Sequence, residues 1–355
     1  MDRLKSVNLN MKMSIPTPIS VGLFLSYKCN AACRHCLYGC SPSWKADWIS
    51  EPDLRLILKQ LSRTIEPAPF GPQSVGLSHG LHFTGGEPFL NFPLLCKAVE
   101  LARELRIPSL FVETNCFWAL NDQQTRSKLQ ILKSLGLNGI MISVNPFYLE
   151  YVPFERTRRC VEISLEIFES NTMIYQLEFW QHFSDAGIKG RLSLDQYLQL
   201  EGSLNFLMRT EFFMMGRAVY RMGNVFNQFY ETHPASYFFY QPCDPPFLRH
   251  WHNHVDNYGN YLAGFCGGIS LGDARYLDLL IDRGIELENY PILRFIVEND
   301  FYGFYEYACQ LGYQAPDGGY FSKCHLCLDL RRFLSLTHDY IELQPKVFYQ
   351  QIDKQ

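Results

Sequence analysis

Within the first 215 residues, short apolar or β-branched runs alternate with longer stretches whose apolar residues recur at helical spacing, and this rhythm restricts the fold more than any other feature. Strand-like runs fall at 21–27, 81–84, 110–114, 139–144, 172–177 and 211–215. Between them, Ser50-Glu51-Pro52-Asp53 reads as a helix start followed by Leu54, Ile57, Leu58 and Leu61 on one face. Further helices are expected over 92–106, 122–135, 156–169 and 195–207, and 66–80, rich in Pro and Gly, as a loop. Repeated strand-then-helix units predict a parallel sheet with right-handed crossovers, wound into a full or partial barrel. The expected fold is therefore α/β, a partial (β/α)6 TIM-like barrel over residues 1–230, followed by a small α+β unit over 231–355. In such barrels chemistry sits at the carboxyl ends of the strands. Cys29, Gly85, Asn115, Ser143 and Gly216 all fall there.

The first of these ends carries three thiols in eight residues, Cys29-Asn30-Ala31-Ala32-Cys33-Arg34-His35-Cys36. Thiolates at this density bind soft metals or iron–sulfur centres, and a cluster of four irons would find three sulfurs here and keep one iron open. The competing reading is a zinc knuckle closed by Cys40. The chain has 12 cysteines, which in a reducing compartment favour metal binding over disulfides. The leading residues hold no apolar core or cleavage site of a secretion signal, and no run is long enough to span a membrane, so a cytoplasmic protein is expected. A formal net charge of -4 without basic blocks gives no footprint for nucleic acid.

Cys29-x-x-x-Cys33-x-x-Cys36 after one strand, with Thr84-Gly85-Gly86-Glu87-Pro88 after the next, resembles the radical S-adenosylmethionine superfamily. The resemblance implies a 4Fe–4S cluster on the three cysteines, its open iron chelated by S-adenosyl-L-methionine, and a 5'-deoxyadenosyl radical that removes hydrogen from a substrate. It implies that Gly85, Gly86 and Glu87 meet the methionyl amino group, and that Asn115, Ser143 and Asn145 contact the cofactor. Asn145 stands where family members carry Asp, and Cys116 where they carry Gly; a buried, inert thiol suits Cys116. Met215-Gly216-Arg217-Ala218 resembles a Gly-Arg-Ala of the family, with Arg217 paired to a carboxylate of cofactor or substrate. Without the resemblance, Gly-Gly-Glu-Pro is an ordinary strand-to-helix turn and Arg217 a solvated helix start. Arg156, Arg158 and Arg159 read as a wet helix face, one of them able to reach the cofactor carboxylate.

Beyond about residue 235 the rhythm breaks in a Pro-rich, aromatic segment containing His250, His252 and His254, for which a loop-surface role is the simpler reading. Residues 254–262 carry a hairpin signal at Asn257 to Asn260, and 286–309 read as helical. Cys243, Cys266, Cys324 and Cys327 form a second set, able to close a zinc site or hold another cluster. The arrangement is similar to the twitch domain, the shortened SPASM-type extension of radical SAM enzymes, which implies an auxiliary 4Fe–4S cluster as an electron acceptor. The substrate class implied is a small molecule or short peptide, with a flavodoxin or ferredoxin as electron donor. A peptide or protein maturase and a non-catalytic zinc protein are the alternatives.

Overall fold

A computed structural model describes residues 12–209, 213–228, 230–243 and 247–354. Short β1 (Lys12–Met13) pairs antiparallel with Ile285–Glu286, apart from the main sheet. The main sheet holds β2 (Ser20–Ser26), β3 (Gly80–Gly85), β4 (Leu110–Thr114), β5 (Gly139–Ser143), β6 (Thr172–Tyr175), β7 (Asn253–Val255), β8 (Asn260–Leu262) and β9 (Ser270–Asp273). Its order is β6-β5-β4-β3-β2-β7-β8-β9. Strands β2 to β6 run parallel, β7 joins the free side of β2 in parallel, and β8 and β9 complete an antiparallel meander. All seven residues of β2 are buried, as expected for an apolar run with neighbours on both sides.

The crossovers follow the sequence signals. α1 (Glu51–Leu61) starts where the Ser50 hydroxyl accepts from Asp53 N, with Pro52 in its first turn, and buries Leu54, Ile57, Leu58 and Leu61. Each of those side chains contributes about 1.5–3 kcal/mol on burial. Asn91 caps α2 (Phe92–Glu104) and Asn121 caps α3 (Asp122–Leu135), which ends at left-handed Gly136, φ +115°. Asn145 caps the single turn α4 (Pro146–Leu149), and α5 (Phe154–Phe168) packs against α3, β5 and β6.

Several expectations change. The helix expected over 195–207 is two, Leu194–Leu198 and Ser203–Arg209, broken at Gly202 with φ +76°. An unforeseen helix, α6 (Leu177–Asp185), follows β6 and buries Phe179, His182 and Phe183, an i, i+3, i+4 stripe. The strand expected at 211–215 lies partly outside the described residues; its described end, Phe213–Met215, is not extended in a sheet. The place beside β2 belongs to β7, so residues past 231 share the sheet of the first 200. The hairpin forms as expected, β7 to β8, with buried Asp256 accepting from Tyr27 Oη, Tyr258 N and Asn260 N. The helical stretch over 286–309 divides into Pro291–Val297 and Phe301–Gln310, Asp300 capping the second. No helix among the described residues is long and apolar enough to cross a membrane.

Candidate functional site

Where β2 ends, the backbone turns into a loop that folds back on itself. Cys29 N donates to Ser41 O at 3.2 Å, Cys36 N to Cys33 O at 3.2 Å, and Trp44 stacks on Tyr27 at 4.3 Å. Lys28 Nζ ties down the carbonyls of Pro42 and Trp44. The end of β3 closes on the start of this loop: Gly86 N donates to Ser26 O at 2.8 Å and Glu87 N to Lys28 O at 3.0 Å. A Cβ on Gly86 would stand 2.0 Å from the Lys28 carbonyl oxygen, so the contact requires glycine. Gly85, at φ +107°, makes the turn, and Pro88 opens a 3-10 helix. The turn chemistry read from the sequence is thus present and, by the same residues, seats the strand end against the cysteines.

Glu87 is buried and fully engaged. Its Oε1 accepts from Phe89 N (3.2 Å) and Thr114 Oγ1 (3.0 Å), its Oε2 from Asn115 N (2.8 Å). Burial nevertheless pushes its carboxyl up to about 7. Asn115 Nδ2 then donates to Asn30 Oδ1 at 2.9 Å and lies 3.8 Å from Cys29 Sγ. Glu87, Asn115 and the first cysteine are therefore one connected network across β3, β4 and the loop. Cys116 is buried with φ +65°, beside Cys160, as a packed thiol.

Arg217 reaches the loop from 184 residues beyond Cys33. Its side chain is 1% exposed, and its guanidinium donates to the carbonyls of Cys33 (3.1 Å), Cys40 (3.0 Å), Gly39 (2.5 Å) and Ile352 (3.2 Å). Its own N–H bonds Cys36 O, and a Cβ on Gly216 would stand 2.5 Å from Leu37 Cα. The fork is thus engaged by backbone carbonyls rather than by the carboxylate that the resemblance implied, and it is no solvated helix start. It sets the curvature of the cysteine loop and places a cation beneath it.

Asn145 holds its helix cap and His35 together: Oδ1 accepts from Phe147 N and Tyr148 N, and Nδ2 lies 3.1 Å from His35 Nε2. His35, inside the cysteine motif, stacks on Phe147, and burial drives its pKa down to about 3. Ser143, at the end of β5, hydrogen-bonds Tyr148. Tyr151 Oη donates to Ala32 O at 3.1 Å. Of the arginine run, Arg156 bonds Phe117 O, Arg159 bonds Asp122 and Ala119 O, and Arg158 lies over Phe154. A cavity of about 300 Å³ beside Ala32 is lined by Arg34, Glu150, Arg221 and Lys354.

The second set also assembles. Cys324 and Cys327 lie in the first two turns of the helix Lys323–Thr337, capped by Ser322, and with Cys243 and Cys266 they line one cavity. Arg331, on the same helix, is buried beside Cys266 and Cys327 and donates to Gly267 O and Tyr349 Oη, both at 2.8 Å. A helix start, Lys323 and Arg331 together offset the negative charge that bound thiolates bring.

All twelve cysteines are free. Burial pushes the thiols of Cys29 and Cys33 up; Cys36 is drawn down to about 6, first by its hydrogen bond with Cys40 and further by Arg217. The donor sets are of a kind that soft metals take. Tetrahedral zinc with Zn–S of about 2.3 Å needs its sulfurs roughly 3.8 Å apart, whereas a cube gives each thiolate its own iron and spreads them more widely. Among the described residues no three cysteine sulfurs lie within 4.8 Å of one another. The sequence missed Arg217's carbonyl partners and the contacts of His35 and Tyr151, because each reaches residues distant in the chain.

Fold and site together define a class: a largely parallel α/β sheet carrying a three-thiol loop at the carboxyl edge of its strands, with a second cavity lined by four thiols. No protein-family model matches the chain. The putative peptide biosynthesis protein YydG of Bacillus subtilis (strain 168) is 23% identical over 146 residues, spanning 41% of this chain and 41% of YydG. Among solved structures, the chain is similar to BtrN in complex with AdoMet and 2-DOIA, with TM-score 0.44 and 14% identity over 79% of this chain and 88% of that one. It is also similar to Streptococcus suis SuiB bound to S-adenosylmethionine, with TM-score 0.36 and 14% identity over 77% and 67%.

Proposed function

We propose that this protein is a radical S-adenosylmethionine enzyme that modifies a peptide, with a 4Fe–4S cluster on Cys29, Cys33 and Cys36 and an auxiliary cluster on Cys243, Cys266, Cys324 and Cys327. The observation that carries the reading is the junction at the carboxyl edge of β2, β3 and β4, where the cysteine loop, Gly85-Gly86-Glu87 and Asn115 share one hydrogen-bonded network over a buried arginine. When bound, a cluster with S-adenosylmethionine there supplies a 5'-deoxyadenosyl radical able to take hydrogen from an unactivated C–H bond. The chain's own part is to hold and shield. Arg217 fixes the loop; Glu87 and Asn115 lock β3 to β4 beside it; Gly86 removes the side chain that would separate them. Glu87 and Asn115 would meet the amine of a bound cofactor, and Ser143 at the end of β5 and Asn145 at the cap of α4 would contact it. The sequence likeness to YydG supports a peptide over a free small molecule. In this reading residues 231–355 form the auxiliary-cluster unit and a flavodoxin or ferredoxin supplies electrons.

Anaerobic reconstitution followed by reduction tests it. About eight irons and eight sulfides per chain are expected for two cubes, with 5'-deoxyadenosine formed from S-adenosylmethionine. Replacing Cys29, Cys33 and Cys36 by Ala should halve the iron and abolish 5'-deoxyadenosine; zinc without iron in the native chain, or unchanged cleavage in the variant, rejects the proposal.

A further inference from the structure

Three imidazoles outside both cysteine sets converge within the sheet. The parallel register of β3, β2 and β7 puts His82, Gly22 and His254 in one row. Glycine in the middle of a buried central strand is unfavourable unless something must approach closely. Here a Cβ on Gly22 would lie 2.5 Å from both His82 Nε2 and His254 Cδ2, so its absence lets the two rings meet over β2. His252, turned inward at φ +52°, brings a third ring 5.1 Å from His82 and 5.0 Å from His254. The three ligand nitrogens lie within 4.8 Å of one another, the only such trio of His, Cys, Asp or Glu groups among the described residues. His252 and His254 therefore do not take the loop-surface role read from the sequence; of the three, only His250 is exposed.

Hydrogen bonds at Nδ1 orient two of the three rings. His252 Nδ1 lies 3.1 Å from Leu77 O, and His254 Nδ1 3.0 Å from Gly264 O. Donation to a carbonyl puts the proton on Nδ1 and leaves Nε2 as an acceptor, the outer-shell pattern of metal-bound histidine. Tyr38, from the cysteine loop, donates to the same Gly264 carbonyl at 3.1 Å, which leaves its oxygen, 2.9 Å from His254 Nδ1, as a second acceptor for that N–H. His82 is 0% exposed, yet neither of its nitrogens makes a hydrogen bond; Glu113 Oε1 stands 3.3 Å from Nε2, outside hydrogen-bond geometry. A histidine buried only for packing behaves differently. His182 is also buried, and its nitrogens meet Tyr197 Oη at 2.9 Å and Glu201 O at 3.2 Å.

We propose that His82, His252 and His254 form a mononuclear site for a divalent transition metal of the zinc type, distinct from both cysteine sets. Three neutral imidazoles are a donor set that such ions accept, and they leave a fourth position, beside which Glu113 Oε1 stands 3.3 Å from His82 Nε2. The site joins β3 to β7 across β2 and so links the barrel strands to the hairpin segment.

The test counts zinc by difference, so it holds whether the cysteines carry iron or zinc. The full chain, reconstituted with iron and sulfide, is saturated with zinc and desalted, and bound zinc is measured in wild type, His82→Asn and His254→Asn. Wild type should hold one zinc per chain more than either variant. X-ray absorption should give that zinc a nitrogen shell at about 2.0–2.1 Å. Equal zinc in wild type and variants overturns the site, as does a lost zinc bound only by sulfur at about 2.3 Å. Circular dichroism and iron content report folding; where a variant fails to fold, the shell of the wild-type zinc decides, imidazole nitrogen supporting the site and sulfur alone rejecting it.

Discussion

Arg217 carries the greatest local burden of any single side chain near the cysteines, because one guanidinium satisfies four carbonyls that are otherwise buried. Replacing it with Met keeps the apolar stem and removes every donor. The cost should be about 3–5 kcal/mol, since hydrogen bonds to a charged group are worth more than neutral ones and the orphaned carbonyls stay inside. Urea titration should show that loss, and anaerobic reconstitution should give a chain poor in iron on the first cysteine set. Arg217→Lys should recover the charge but only part of the bonding, because an ammonium cannot reproduce the planar fork. Glu113 permits a prediction with pH. Burial raises its carboxyl from 4.5 to about 7 against one opposing hydrogen bond, from Thr84 Oγ1 at 2.5 Å. The folded chain thus binds this proton more tightly than the unfolded chain, so the contribution is fully present below about 4.5 and is lost as pH rises through 7. The side chain keeps 23% of its surface exposed, which limits the effect to about 1–2 kcal/mol. Glu113→Gln, measured in chelator-treated protein, should flatten the stability curve over that window; an unchanged slope would refute the assignment.

Between elements, the decisive contact is the touch of β3 on the cysteine loop. Gly86→Ala puts a methyl 2.0 Å from the Lys28 carbonyl, against backbone that cannot swing away, and should cost about 1–3 kcal/mol while displacing Cys29. Gly76→Ala is the matched control, with nothing within 4 Å of the added carbon and no positive φ; it should be neutral or slightly stabilising. Equal melting temperatures for the two would mean that the glycine is not needed for the approach. These elements are also where the sequence spoke most plainly. β2 to β5 and α1 to α3 could be read because each has its own period, caps and breakers, all local signals. α6 escaped because Phe179, His182 and Phe183 are interleaved with polar residues in a segment whose strand-like start dominated the pattern. The Cys29, Cys33, Cys36 loop and the Gly-Gly-Glu turn were legible as motifs. Arg217's carbonyl partners and the meeting of His82 with His254 were not, since a register across three strands cannot be inferred from any one of them.

For the whole molecule, the sheet and the cysteine sites depend on the last residues of the chain. Phe348, Tyr349 and Ile352 are all but fully buried, the Ile352 carbonyl accepts from Arg217, and its side chain packs where a Cβ on Gly39 would lie 3.0 Å from it. Tyr349 meets Arg331 beside the second cysteine set. One short segment therefore braces both candidate metal sites. Burial of three large side chains amounts to roughly 5–9 kcal/mol, comparable to the net stability of an ordinary domain. Deleting residues 345–355 should thus abolish cooperative unfolding and iron retention at both sites together. Ile352→Ala, milder by design, should cost about 2–4 kcal/mol and lower iron occupancy chiefly at Cys29, Cys33 and Cys36, because Ile352 packs by Gly39 of that loop and accepts from Arg217. Iron analysis paired with thermal melts separates the two effects: full occupancy at both sites in the truncated chain would show that the terminus does not brace them.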